Sequence, residues 1–351
     1  VTRLLDVPPQ RTLRTADDLV SAGLARDARE LEQVTAAYAT AITPALAALI
    51  DRSRPDDPIA LQFVPSQAEL DVRSEELPDP IGDLAHEPIE GVVHRYPDRV
   101  LLKVVSVCPV YCRFCFRREM VGPGKEGNLS QEKIEAALAY IHAHPEIWEV
   151  ILTGGDPFML SARRAEALTR ALEAIPHVKV IRWHTRMPVA DPQKVSPEFV
   201  SAIRSESKAV YVAVHCNHAR ELTVEARMSL RRLADAGIAL LSQTVLLKAV
   251  NDDVDTLADL MRALVELGVR PYYLHHPDLA PGTSHFRPSI ERGQAIVREL
   301  RDRVSGLVQP QYVIDIPGGV SKALASPSDV EVRDGMMRLR GRDGAWRDYQ
   351  M

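Results

Sequence analysis

Cysteine is scarce in this chain, four in 351 residues, which argues against a disulfide scaffold because secreted disulfide domains are short and cysteine-dense. Reduced thiols are the expected state. Long apolar runs are missing too: none approaches the ~20 residues of a membrane span, and the N-terminus, with Arg3, Asp6, Arg11 and Arg14, has no apolar leader core. A cytoplasmic protein without membrane contact is expected. Basic charge is not in surplus, since the formal net charge is -5, whereas a nucleic-acid partner would require a basic face. Small-molecule ligands are favoured over nucleic acid. Low-complexity segments are lacking, and no repeat stands out beyond an alternation of strand-like and helix-like stretches. At 46% hydrophobic content the chain can bury a large core.

Three of the four cysteines are crowded together. Cys108, Cys112 and Cys115 lie in SVCPVYCRFCFRR, directly after the apolar run Val100 to Val107, which reads as a buried strand. Three thiolates on one loop can each hold one iron of a 4Fe-4S cube and leave the fourth iron open, whereas an electron-transfer cluster normally takes four cysteines. An open iron can chelate a substrate. A structural zinc would need a fourth ligand; His94 and Cys216 are candidates, but neither sits at the paired C-x2-C spacing of ribbons and fingers. The C-x3-C-x2-C motif closely resembles that of the radical S-adenosylmethionine superfamily. That resemblance implies a 4Fe-4S cluster on Cys108, Cys112 and Cys115, with S-adenosylmethionine bound through its amino and carboxylate groups to the open iron.

From Val100 onward, short β-branched runs alternate with amphipathic stretches, the pattern of βα units around a parallel sheet. Six strands are expected, at 100–107, 149–153, 178–183, 209–214, 239–246 and 270–275. Helices are expected near 131–143, 161–174, 197–205, 223–236, 253–267 and 289–304. Ser196 followed by Pro197 is a clear helix start, a hydroxyl N-cap with proline at the first helical position. Six such units make either a doubly wound sheet or an incomplete barrel, and in both the chemistry gathers at the C-terminal ends of the strands. The superfamily resemblance implies the second, an α/β partial (β/α)6 barrel with N-terminal helical and C-terminal extensions. Three regions are expected: 1–93, helical and extended; 94–306, the barrel; and 307–351. Within the first, Asp17 to Leu24 and Arg29 to Thr40 read as helical, and the proline-rich stretch Pro55 to Pro80 as an extended connection. Within the last, the Gly-Arg-Asp-Gly turn at 341–344 suggests a hairpin.

A narrower resemblance covers His94 to Lys322. HRYPDRVLL (94–102), YCRFCFRR (111–118), LTGGDP (152–157), HCNHAREL (215–222), QTVLLKAVND (243–252), RPYYLHHPDLAPGTSHFR (270–287) and DIPGGVSK (315–322) resemble the lysine 2,3-aminomutase family. That family combines S-adenosylmethionine, a 4Fe-4S cluster and pyridoxal phosphate. The resemblance implies that Lys322 binds pyridoxal phosphate covalently, a role suited to an amine whose charged form the surroundings can disfavour. It implies cofactor contacts from Arg95, Tyr96, Arg99 and Gln243, a guanidinium being a natural phosphate ligand. Gly154, Gly155 and Asp156 are implied to cradle S-adenosylmethionine, although alone they read as a strand-ending turn. Arg117 is implied to grip the substrate α-carboxylate, and Asp278 with Asp315 to hold a distal ammonium. Two carboxylates around one cation select lysine; a family member acting on glutamate would be expected to replace them, because they would repel its distal carboxylate.

The implied activity is interconversion of L-lysine and β-lysine by a 5'-deoxyadenosyl radical, an isomerase reaction. An aminomutase for arginine or ornithine, and a lysine aminomutase acting in β-lysylation of elongation factor P, are alternatives. A cluster-binding electron carrier or redox sensor would not need Lys322, Asp278 and Asp315 together. A reductant such as flavodoxin or ferredoxin is the implied partner. Members of the resembled family that act on free lysine often add a cysteine-rich C-terminal segment that binds zinc between subunits; with no cysteine after Cys216, the resemblance implies no zinc site here and a smaller assembly, a homodimer.

Overall fold

The computed structural model describes residues 9–124 and 127–350; Arg3 and Asp6 lie outside them. Strand β1 (Val92–Tyr96) runs antiparallel to β2 (Arg99–Val105), and the parallel series continues through β3 (Glu149–Gly154), β4 (Val180–Thr185), β5 (Ala209–His215), β6 (Ala239–Val245) and β7 (Val269–His275). The six expected strands are these last six. A further parallel strand, β8 (Gln311–Asp315), joins β7, and β9 (Lys322–Leu324) folds back antiparallel on β8. Strand order in this nine-stranded sheet of the described residues follows chain order from β1 to β9. A doubly wound sheet reverses its order at a switch point, so the sequential order excludes that alternative and fits the incomplete barrel, enlarged by one strand.

The two edge strands then meet. Tyr96 on β1 accepts at its hydroxyl the backbone N–H of Lys322 on β9, 3.1 Å away, and the Arg95 guanidinium lies 3.7 Å from the Asp315 carboxylate. The sheet therefore curls until its edges are joined by side chains instead of a backbone ladder.

Strand faces divide by chemistry because successive side chains alternate. Leu102, Leu152, Trp183, Val212 and Leu240 are register partners in one row across five strands, and all belong to the main apolar core. Residues from the six flanking helices, such as Ile141, Leu168, Phe199, Leu230, Leu257 and Ile296, complete that core. Thr153, His184, His215, Gln243, His275 and Asp315 alternate with it and fall on the inner face. The helices span Gln131–Ala143, Ala162–Glu173, Pro197–Ile203, Val224–Asp235, Val254–Glu266 and Ile290–Arg303. Each is opened by an N-cap side chain, Ser130, Ser161, Ser196, Thr223, Asp253 and Ser289, accepting from the backbone three residues on. This satisfies amides that the helix itself leaves unpaired.

The N-terminal region differs from expectation. The two helical stretches shorten to Ala16–Ser21 and Glu32–Ala37, the latter preceded by a 3-10 turn at Ala28–Glu30. The supposed extended connection at 55–80 contains a helix, Pro58–Phe63, and a 3-10 turn, Gln67–Leu70. Pro58 occupies the first helical position behind an Asp57 cap, where its missing N–H costs nothing. At the other end, β10 (Val330–Arg333), β11 (Met336–Arg340) and β12 (Trp346–Tyr349) form a separate antiparallel sheet, and the 341–344 turn closes its second hairpin as expected. No helix of the described residues is long and apolar enough to cross a membrane.

Candidate active site

The cysteine loop leaves the C-terminal end of β2 and is held by the N-terminal region. Tyr111 N–H donates to the Ala41 carbonyl (3.1 Å) and Arg113 N–H to the Gln62 carbonyl (2.9 Å). Two buried guanidiniums, Arg113 and Arg118, share the buried Glu69 carboxylate, and Arg113 also donates to the Ala39 carbonyl at 2.8 Å. Cys108 and Cys115 pack beside Ala41, Tyr111 and Val121, and Cys112 beside Val110 and Ala190. Burial pushes all three thiols up, Cys112 to about 11; neighbouring thiols add to the rise at Cys108 and Cys112, while the guanidiniums around Cys115 oppose it there. Close-set thiols that resist ionising alone are ionised by a bound cation, and thiolates suit iron–sulfur clusters. Among the described residues no three His, Cys, Asp or Glu side chains converge on a single ion; a cube that takes one thiolate per iron does not require them to.

Beside this loop, β3 ends in Gly154-Gly155. Gly155 N–H donates to the Val105 carbonyl (2.6 Å) and Asp156 N–H to the Val107 carbonyl (2.9 Å). A Cβ at Gly154 would lie 2.2 Å from the Val105 oxygen, and one at Gly155 2.3 Å from the Val107 oxygen. The glycines are thus required by the chain's own approach to the root of the cysteine loop, whatever they offer a ligand. Asp156 is buried and fully engaged, accepting from Thr185 Oγ1 (2.7 Å) and from the amides of Arg186 (2.8 Å) and Phe158 (2.9 Å). Its carboxylate ties β3 to the end of β4.

Lys322 owes its position to a hairpin. DIPGGVSK connects β8 to β9 with Asp315 and Lys322 as register partners, and both Gly318 and Gly319 turn at positive φ. The Lys322 ammonium consequently sits 2.6 Å from each Asp315 oxygen. His275 Nδ1 lies 3.7 Å from the same carboxylate. Burial opposes ionisation of Asp315, but the nearby His275 ring and the Lys322 ammonium prevail and hold it low. Asp278 is the contrary case: burial, then repulsion from Asp315, push it up to about 7, with Lys322 and Arg117 pulling the other way. Arg117 is buried, 2.8 Å from Asp83 and 3.2 Å from Thr153 Oγ1. Arg95, Tyr96, Arg117, Asp278, Asp315 and Lys322 thus form one constellation.

Of the other expected residues, Arg99 reaches it through the Tyr96 ring, and Gln243 shares the inner face of the sheet. Arg99 lies at the opposite end of β2, its guanidinium 3.8 Å from the centre of the Tyr96 ring and its Nη1 2.7 Å from Asp98. Gln243 lies on β6 opposite His215. The sequence reading missed Asp83 and Glu69, which are buried among arginines, and the inner-face histidines His184, His215 and His275. The rings of His184 and His215 are 5.7 Å apart, and burial holds both neutral. The buried Nε2 atoms of all three histidines and Nε of Arg95 have no partner among the described residues. Buried polar groups normally find partners, so the inner face fits a polar ligand. An open cleft of about 760 Å³ between residues 71–75 and 284–290 includes none of the expected site residues.

Residues 102–264 match the radical SAM superfamily model. The L-lysine 2,3-aminomutase of Clostridium subterminale is 39% identical over 290 residues, 83% of this chain and 69% of that protein. The L-lysine 2,3-aminomutase of Escherichia coli K12 is 35% identical over 339 residues, 95% of each. The glutamate 2,3-aminomutase of Clostridioides difficile is 34% identical over 297 residues, 85% of this chain and 70% of that protein. Identity of this degree over most of both chains, with the cysteine loop at the end of a parallel strand and a lysine set among carboxylates, shows that the chain belongs to the lysine 2,3-aminomutase family of the radical SAM superfamily.

Proposed function

We propose that this isomerase interconverts L-lysine and β-lysine. One observation carries the choice of substrate: the Asp315 carboxylate, with Asp278 beside it, already holds the primary ammonium of a lysine side chain, that of Lys322, at 2.6 Å. A substrate ε-ammonium can take the same place once Lys322 is engaged elsewhere, whereas a glutamate side chain would meet two carboxylates and be repelled. Arg117 supplies the forked donor for the α-carboxylate.

Cys108, Cys112 and Cys115 would hold a 4Fe-4S cluster, and Lys322, with Arg95 and Tyr96 beside it, pyridoxal phosphate. Together with S-adenosylmethionine, these groups supply hydrogen-atom abstraction and covalent activation of the migrating nitrogen, chemistry that side chains alone lack. The protein positions the substrate between the Asp pair and Arg117. The arginine-bridging Asp83 and the Glu69 clamp keep the surrounding guanidiniums in place. Asp315 keeps its negative charge and orients the Lys322 amine, while Asp278, with its raised pKa, is the better proton acceptor. A small reductant such as flavodoxin or ferredoxin would serve the cluster, and the setting would be cytoplasmic.

The test is mass spectrometry of the products after anaerobic reconstitution with iron, sulfide, dithionite, S-adenosylmethionine, pyridoxal phosphate and L-lysine. β-Lysine at many turnovers is the expected result. Release of 5'-deoxyadenosine with no β-lysine would reject lysine as the substrate.

A further inference from the structure

The segment Asp79 to Asp83 reaches Arg95, Arg117 and the glycine turn that precedes Lys322. Asp83 has no exposed side-chain surface. Its Oδ2 accepts from Arg117 Nε (3.0 Å) and Nη2 (2.8 Å), and its Oδ1 from Arg95 Nη2 (3.2 Å). Asp79 fixes the turn that presents it, accepting from the amides of Asp83 (2.9 Å) and Leu84 (2.8 Å). The Ile81 carbonyl accepts from Arg95. The same turn lies against the Gly318-Gly319 turn that precedes Lys322: a Cβ at Gly82 would be 2.5 Å from the Gly318 carbonyl, and Gly318 N–H reaches the Pro80 carbonyl at 3.4 Å.

We propose that Asp83 is a positioning residue whose buried carboxylate sets Arg117 and Arg95 side by side, so that one meets the substrate carboxylate and the other the cofactor phosphate. Two buried guanidiniums repel each other without a shared anion. Asp83 supplies that anion and also selects an edge. By taking Nε and one hydrogen of Nη2 from Arg117, it leaves the Nη1/Nη2 edge as the one with donors to spare. Thr153 takes only one of the Nη1 hydrogens (3.2 Å). A substrate carboxylate therefore meets a pre-oriented fork instead of a side chain it must order itself. This assignment rests on the proposed function, since it names what the two arginines bind.

The experiment uses the full chain with its cluster reconstituted. Asp83→Asn keeps the shape of the side chain and removes its charge; Asp83→Ala removes the group and leaves room for a small carboxylate. Pyridoxal phosphate affinity is measured by spectrophotometric titration and lysine turnover by KM and kcat, with iron content and melting temperature as controls on folding. In Asp83→Asn, the Kd for pyridoxal phosphate and the KM for lysine are expected to rise by about tenfold or more, the size of a lost charged hydrogen bond, with iron content unchanged. Formate is expected to restore affinity to Asp83→Ala and to leave the wild type unaffected, a response that a merely structural residue would not give. Wild-type affinities in Asp83→Asn, or no formate effect in Asp83→Ala, overturn the assignment alone. A wild-type protein that takes up no pyridoxal phosphate overturns the proposed function and this assignment with it.

Discussion

Among the carboxyls of the site, Asp278 is the one whose charge changes near neutrality. Burial and the neighbouring Asp315 push it up to about 7, so below that value it is protonated and cannot pair with an ammonium. As pH rises through it, the carboxylate forms and lysine gains its second anion. With Asp278 ionised in the bound state, the KM for lysine is expected to fall about tenfold between about pH 6 and pH 8. Asp278→Asn should bind lysine more weakly and lose most of that slope. A KM that is flat across the same range in the wild type would remove Asp278 from the substrate site. At this scale the sequence was legible where residues sit in dense motifs. Lys322 and Asp315 belong to one short stretch and become register partners, and Arg117 follows Cys115, the last cysteine of the motif, by two positions. Asp83 and Glu69 were not legible, because an aspartate or glutamate in a loop carries no mark of the arginines that reach it. Glu69 is 44 and 49 residues from its partners.

At the scale of elements, the cysteine loop depends on the N-terminal region that covers it. The clamp is Glu69, presented by a capping box in which Ser66 and Glu69 satisfy each other's ends of a 3-10 turn. Glu69→Gln would leave Arg113 and Arg118 buried with no anion between them, and breaking a buried charge network in this way costs roughly 3–5 kcal/mol. Urea unfolding should report that loss, with lower iron retention after reconstitution because the loop is no longer anchored. Unaltered stability and iron content would mean that the backbone bonds from Tyr111 and Arg113 suffice. The six barrel helices were readable almost to the residue because hydroxyl or aspartate caps precede amphipathic runs. The clamp was not read, although its Ser66-Gln67-Ala68-Glu69 spacing is a capping signal, since the prolines around it suggested an extended chain. Strand β8 was missed for a different reason: it is five residues long, and a hairpin rather than a helix follows it, so the alternation that marked the other strands ends there.

For the whole molecule, the decisive property is that the sheet has two ends, and both lie at the chemistry. The central strands are sealed by backbone ladders on each side and by helices behind. Between β1 and β9, by contrast, the structure provides the Tyr96–Lys322 bond, with the Arg95–Asp315 approach reaching past it to β8. Strand β9 is three residues long, and Leu324 on it is 70% exposed. Local openings draw on regions with few buried apolar contacts, so this seam is where the barrel should open most readily. Hydrogen–deuterium exchange on the full chain is expected to be faster at 322–324 than anywhere in β3 to β6. It should slow there when pyridoxal phosphate is added, because a cofactor bound to Lys322 would lie across the seam and tie its two sides together. The central strands should change little. If the β9 amides were protected as well as those of β5 before any cofactor is present, the seam would be a rigid wall and entry to the site would have to be sought at the strand ends, beneath the N-terminal region. If β9 exchanged quickly with and without the cofactor, Lys322 would not be the residue that holds it.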